Sequence, residues 1–205
     1  MRYKHFVFDV DGTLLDTEFA VLQAWKDTLL ELQGKVYETQ ELYFALGIPG
    51  EVTLAKLGIR ESKSAFEVWN GHFLKYNSTI KLFDNIVNTI KDLRERGLQL
   101  GVVTSKTYRE FTYDTALRKI TGYFGIVICA TNSPRPKPFA DPILTYMEKT
   151  KTRPEEIIYI GDTIYDCQCA RSAGVDFGLA MWGNPLKEDI NATYFLKTPI
   201  DILTI

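Results

Sequence analysis

The sequence predicts an α/β fold, a doubly wound parallel sheet with a helical segment inserted after the first strand. Three observations predict it. Short runs of continuous rather than alternating hydrophobicity recur at 5–10 (HFVFDV), 98–105 (LQLGVVTS), 125–130 (GIVICA), 156–162 (EIIYIGD) and 175–181 (VDFGLAM). Continuous runs of this length suit strands covered on both faces. Between them, residues 84–96, 107–120, 140–150 and 163–173 carry apolar residues at helical spacing, which gives the βαβ alternation of a parallel sheet with right-handed crossovers. Finally, the stretch between the first two runs is far longer than one crossover helix needs.

That long stretch reads as helices. Residues 16–33 (DTEFAVLQAWKDTLLELQ) have an amphipathic spacing with Asp16 available as N-cap. TQELYFALG, PGEVTLAKLG and ESKSAFEVWNGHFLKYN follow, with glycines and Pro49 marking the breaks and GIPG (47–50) read as a turn with Pro49 starting a helix. Residues 16–80 are therefore expected to form the insertion, and 1–15 with 81–205 the α/β core. Trp25, Phe44, Trp69 and Phe73 are expected to pack the insertion's own helices. After the second run, Thr104 and Ser105 are candidate N-caps for the next helix.

Composition narrows the partners. The 205 residues hold 24 basic and 26 acidic side chains, a net charge of −2, with no basic block. This argues against nucleic acid or an anionic membrane as the main partner. No apolar run is long enough to span a bilayer, and MRYKHFVFDV turns acidic too early for a signal peptide. Three cysteines form no disulfide framework and are read as small, reduced, buried residues of a cytoplasmic protein. His5 and His72 have no partner pattern and are expected to serve packing or the surface.

The chemistry lies at the strand ends, where open α/β sheets bind ligands. Asp9 and Asp11 end the first run, Thr104 and Ser105 the second, Lys137 follows the third, and Asp162 ends the fourth with Asp166 a turn beyond. Parallel strands would bring all of these to one sheet edge. Clustered carboxylates without histidine or cysteine favour a hard cation, Mg²⁺ above others. A lysine and two hydroxyls opposite would hold phosphate oxygens, so the site suits phosphoryl transfer. Of the two lysines available, Lys137 is expected at the phosphate, and Lys106, at the start of a helix, in solvent. Asp166 has a rival reading as an exposed helical charge.

The motifs DVDGTLLDTE, VVTS, KP and GDTIYD, in this order, resemble those of the haloacid dehalogenase-like hydrolases. The resemblance covers residues 5 to about 183, and NATYFL also fits. DGTLLDTE followed by a helical insertion is similar to the phosphoglycolate phosphatase-like and β-phosphoglucomutase-like branch, with a Rossmann-like core and a helical cap. The resemblance implies a Mg²⁺-dependent phosphatase acting on a small cytosolic phosphate monoester. Asp9 would be the nucleophile that forms an aspartyl-phosphate, and Asp11 the general acid and base. Asp9, the Asp11 carbonyl and Asp162 would bind Mg²⁺, supported by Asp166. Gly12, Thr104, Ser105 and Lys137 would hold the phosphoryl group, and relatives often carry Asn where this chain has Ser105. The implied partner is a small phosphorylated metabolite, bound by a monomer or weak homodimer. A phosphosugar mutase shares these residues, but that branch often has DGV where this chain has DGT. A dehalogenase gives Asp11 no role, and a non-catalytic regulatory module on the same fold gives none to the aspartates.

Overall fold

The computed structural model describes residues 2–48, 50–59, 62–183 and 190–205. In chain order the elements are β1 (His5–Phe8), β2 (Leu15–Asp16), α1 (Glu18–Gln33), α2 (Gly50–Lys56), α3 (Ser62–Lys75), β3 (Lys81–Leu82), α4 (Ile86–Glu95) and β4 (Gln99–Val103). There follow α5 (Tyr108–Tyr113), β5 (Ile126–Ile128), α6 (Asp141–Thr150), β6 (Ile157–Gly161), α7 (Ile164–Ala173), β7 (Asp176–Ala180) and β8 (Tyr194–Leu196). Each predicted apolar run holds a strand, and β8 falls in the NATYFL segment.

The six long-range strands form one parallel sheet in the order β5-β4-β1-β6-β7-β8. Its central strands are apolar beyond their first residues because both faces are covered. Phe6 and Phe8 point into one layer with Leu100, Val102, Ile90 and Leu93. Val7 points into the other, with Tyr159 and with Ile143, Tyr146 and Ala170 from α6 and α7. Burying such a side chain contributes roughly 1.5–3 kcal/mol, so central β1 is firmly anchored. The chain builds β4 and β5 on one side of β1, then crosses to β6 on the other. The strand order reverses between β1 and β6, which is where open sheets place ligands.

After β1 the chain leaves through β2 and returns through β3, which pair antiparallel with Leu15 opposite Leu82 and Asp16 opposite Lys81. Between them α1, a 3₁₀ helix (Thr39–Ala45), α2 and α3 form the helical cap. They close on their own apolar cluster of Leu22, Trp25, Leu29, Leu42, Leu54 and Ala65.

Three local expectations are corrected. Asp16 does not cap α1: its backbone belongs to the β2–β3 ribbon, and Thr17 takes the N-cap position without a side-chain cap bond. The helix expected over 107–120 stops at Tyr113, because the Asp114 carboxylate accepts from the N–H groups of Ala116 and Leu117 and redirects the backbone. Its N-cap is Thr107 rather than Thr104 or Ser105; Thr107 and Glu110 form a reciprocal capping box. Pro49, expected to start a helix, lies outside the described residues. All three cysteines are buried and free. No helix among the described residues is long and apolar enough to cross a membrane.

Candidate active site

The loops after β1, β4, β5 and β6 bring the predicted residues to one sheet edge, and the centre of the group is Lys137. Its ammonium is buried, 2.9 Å from Asp9 Oδ1 and 2.6 Å from Asp166 Oδ1. It is presented by a turn that Phe139 N–H closes on the Pro136 carbonyl at 3.1 Å, with a cis Lys137–Pro138 peptide inside it. Burial alone would lower the Lys137 pKa, but Asp166 and Asp9 together raise it, so the ammonium stays charged.

Asp166 is fully buried and not an exposed helical charge. Its second oxygen accepts from the Thr163 N–H (3.0 Å) and hydroxyl (2.6 Å), while the first also lies 2.9 Å from the Tyr159 hydroxyl. Burial opposes its ionisation, and Lys137 and these donors overcome that and lower its pKa. Every oxygen is thus committed, and Asp166 acts as a brace for Lys137 and for the start of α7.

Asp9 has less support. Burial raises its pKa well above 3.8, and repulsion from Asp166, Asp162 and Asp11 adds to this against the pull of Lys137. Asp9, Asp162 and Asp166 each present an oxygen within 4.8 Å of the others. Three buried carboxylates facing one ammonium call for further positive charge. An all-oxygen set suits a hard cation, so the residues fit a Mg²⁺ site. The Asp11 carboxylate lies outside this cluster.

Backbone shape fixes the spacing. Gly12 has φ +77°, and a Cβ there would collide with the Asp162 carboxylate, so only glycine lets the β1 loop lie against Asp162. Asp162 accepts from the Thr13 hydroxyl at 3.3 Å, and Trp182 Nε1 donates to the Thr13 carbonyl at 3.0 Å. The Thr104 hydroxyl accepts from the Lys106 N–H at 3.2 Å. Ser105 Oγ is buried without a hydrogen-bond partner.

Lys106 overturns the expectation of a solvated side chain. It is 9% exposed, with Nζ 3.0 Å from Asp11 Oδ1 and 3.6 Å from Asp114 Oδ2. Burial works against its charge, and Asp11 and Asp114 more than compensate, so its pKa is raised. The physical reason is the early end of α5: Lys106 precedes the helix, and Asp114 folds back toward it. Tyr159 and Thr163 were also missed, since a strand tyrosine and a helix cap carry no separate sequence signal.

Over the aspartates lies a cleft of about 360 Å³, lined by Asp9, Asp11, Ser105 and Lys106 below and by cap residues above. Neither Thr104 nor Lys137 lines it.

Residues 6–180 match the family model of the haloacid dehalogenase-like hydrolases. The chain belongs to this family. As a haloacid dehalogenase-like hydrolase it is 24% identical to the pyrophosphatase PpaX of Anoxybacillus flavithermus, over 100% of this chain and 97% of that one. Its structure aligns with that of a candidate phosphoglycolate phosphatase from Lactobacillus plantarum at a TM-score of 0.91 and 28% identity, covering 100% and 99% of the two chains. CbbY from Rhodobacter sphaeroides, solved with phosphate, shares the fold at a TM-score of 0.82 and 18% identity, with 98% and 96% covered.

Proposed function

We propose that this hydrolase is a Mg²⁺-dependent phosphatase that cleaves a small phosphate monoester through an aspartyl-phosphate. The observation that carries the reading is the buried Asp9 carboxylate, paired with Lys137 at 2.9 Å and open to the cleft. Asp9 and Asp162, with the Asp11 carbonyl, would hold the ion. When bound, Mg²⁺ supplies the positive charge that lets a carboxylate approach a phosphate dianion.

Asp9 attacks phosphorus as the ester P–O bond breaks. Asp11, whose carboxylate faces the cleft beside Lys106, gives its proton to the leaving oxygen and later takes one from the attacking water. Water addition at phosphorus releases Asp9 and inorganic phosphate. Lys137 holds Asp9 in line and balances the charge on phosphorus. The unpartnered Ser105 hydroxyl is available to the substrate. Residues 16–80 act as the lid that excludes bulk water. The names of the relatives, a pyrophosphatase and a candidate phosphoglycolate phosphatase, support a phosphate substrate.

The test is hydrolysis of 4-nitrophenyl phosphate. Asp9→Asn abolishes turnover, and EDTA abolishes it reversibly, with recovery on adding Mg²⁺. Full activity in the variant or in excess chelator would sink the reading.

A further inference from the structure

The upper wall of the cleft describes a leaving group. Phe66, Trp69 and Phe73 lie three and four residues apart on α3, so they share one face. They stack in a row, with ring centroids 5.4 and 4.9 Å apart and planes within 20° and 18° of each other. All three line the cleft and remain partly exposed. Phe66 and Trp69 also pack against the cap cluster, where Trp25, 1% exposed, lies 5.4 Å from Trp69 between ring centroids, so one side of the row is anchored while the other borders the cleft. The expectation that Trp69 and Phe73 only pack the cap is therefore incomplete.

Charge on this wall points the same way. Among the described lining residues the single cation is Lys106, already engaged by Asp11 and Asp114. Glu51 stands on the cap side and Glu110 below it. A second anionic group on the substrate would meet ring faces and a glutamate. The negative face of an aromatic ring repels an anion and welcomes another ring in an offset stack.

We propose, resting on the phosphatase reading above, that the substrate is a phosphate monoester whose alcohol carries a flat aromatic ring and no second anionic group. The ring stacks along Phe66 and Trp69 while the phosphate lies at Asp9. Hydrolysis breaks the phosphorus–ester oxygen bond, forms a phosphorus–oxygen bond to water, and leaves one water proton on the ring-bearing alcohol. This substrate class differs from pyrophosphate and phosphoglycolate, each of which brings a second anionic group to the cap.

The experiment compares kcat/KM for benzyl phosphate, phosphoglycolate and pyrophosphate. Benzyl alcohol is an ordinary primary alcohol, so its ring acts through the cleft and not through an acidic leaving group. We expect benzyl phosphate to lead by at least about tenfold, the scale of one good ring contact. Trp69→Ala narrows that lead about tenfold through KM, and Trp69→Phe, which keeps a ring and the cap packing, retains most of it. Glu51→Lys, at an exposed site on α2, moves the ratio toward phosphoglycolate. Phosphoglycolate or pyrophosphate matching benzyl phosphate in the wild type overturns the inference and leaves the phosphatase reading intact. A lead that Trp69→Ala does not change also overturns it. No turnover of these esters or of 4-nitrophenyl phosphate defeats both.

Discussion

The floor of the cleft and its roof are built on opposite principles. At the floor and directly beneath it, Asp9, Asp166 and Lys137 are nearly inaccessible, and Lys137 and Asp166 are held by partners 2.6–3.3 Å away. On the roof, stacked rings remain partly exposed, and Trp69 Nε1 is buried without a partner. Buried charge tolerates few arrangements, because each unsatisfied group costs kcal/mol rather than tenths. Ring packing is weakly directional, so many side chains could make a roof of similar stability. The floor is where chemistry is preorganised, and the roof is where related chains are free to diverge in what they admit.

The largest effect should come from Asp9→Asn, which tests whether the floor is built for function at the expense of stability. On the proposed mechanism this substitution removes the nucleophile and with it most of the rate, on the scale of about 10⁴-fold or more. The same substitution should raise the thermal midpoint of the metal-free protein, by roughly 2–4 °C for each kcal/mol of relieved burial and repulsion. The sign follows from the raised pKa of Asp9. A carboxyl raised in the folded state contributes stability below its unfolded value, near 3.8, and loses it as pH rises through the raised value. The stability of the metal-free wild type relative to the variant should therefore decline as pH rises above about 4, because only the wild type carries this carboxyl. Mg²⁺ should restore the wild type more than the variant. A midpoint that falls in Asp9→Asn would mean that the Lys137 pair outweighs the repulsion.

Lys137→Met makes the opposite change, leaving Asp9 and Asp166 without their ammonium. Breaking a buried pair in this way costs about 3–5 kcal/mol, read by urea unfolding. Leu29→Ala probes the roof's support: Leu29 is fully buried in the cap cluster, and such truncations cost about 2–5 kcal/mol. Because the cap has its own core, amide exchange should accelerate in α1 and α3 and stay unchanged in β1, β4 and β6. Equal acceleration in the sheet would show that floor and roof open as one unit.

The floor was more legible in the sequence than the roof, for reasons that particular residues make plain. The apolar runs announced strands because burial on both faces leaves no polar position, as Phe6, Val7 and Phe8 show. Once the strands were parallel, Asp9, Thr104 and Asp162 had to share an edge. What escaped notice depended on contacts that periodicity does not carry. Asp114 ends α5 through its own side-chain hydrogen bonds, and Tyr159 looked like any strand aromatic until its hydroxyl met Asp166 at 2.9 Å. On the roof, ESKSAFEVWNGHFLKYN reads as helical with Trp69 and Phe73 packing the cap, but nothing in that pattern says that Phe66, Trp69 and Phe73 border the cleft.

Lys106 belongs to both regions, and the smallest predicted effect on stability is also the sharpest probe of how they meet. Its ammonium pairs with Asp11 on the floor and lies 5.8 Å from the centroid of the Phe73 ring on the roof. Lys106→Met should cost only about 1–2 kcal/mol, because the Asp11 side chain stays 26% exposed and Asp114 keeps two backbone donors. Activity should suffer more than stability. Without the ammonium, Asp11 loses the group that holds its carboxylate at the cleft, so kcat should fall about tenfold or more on every phosphate ester. Lys106→Arg, which can still pair with Asp11, should recover part of that loss. A fall confined to KM for ring-bearing esters would instead assign Lys106 to the roof, as a cation that positions Phe73 and the substrate ring. The split between kcat and KM thus decides on which side of the seam this lysine acts.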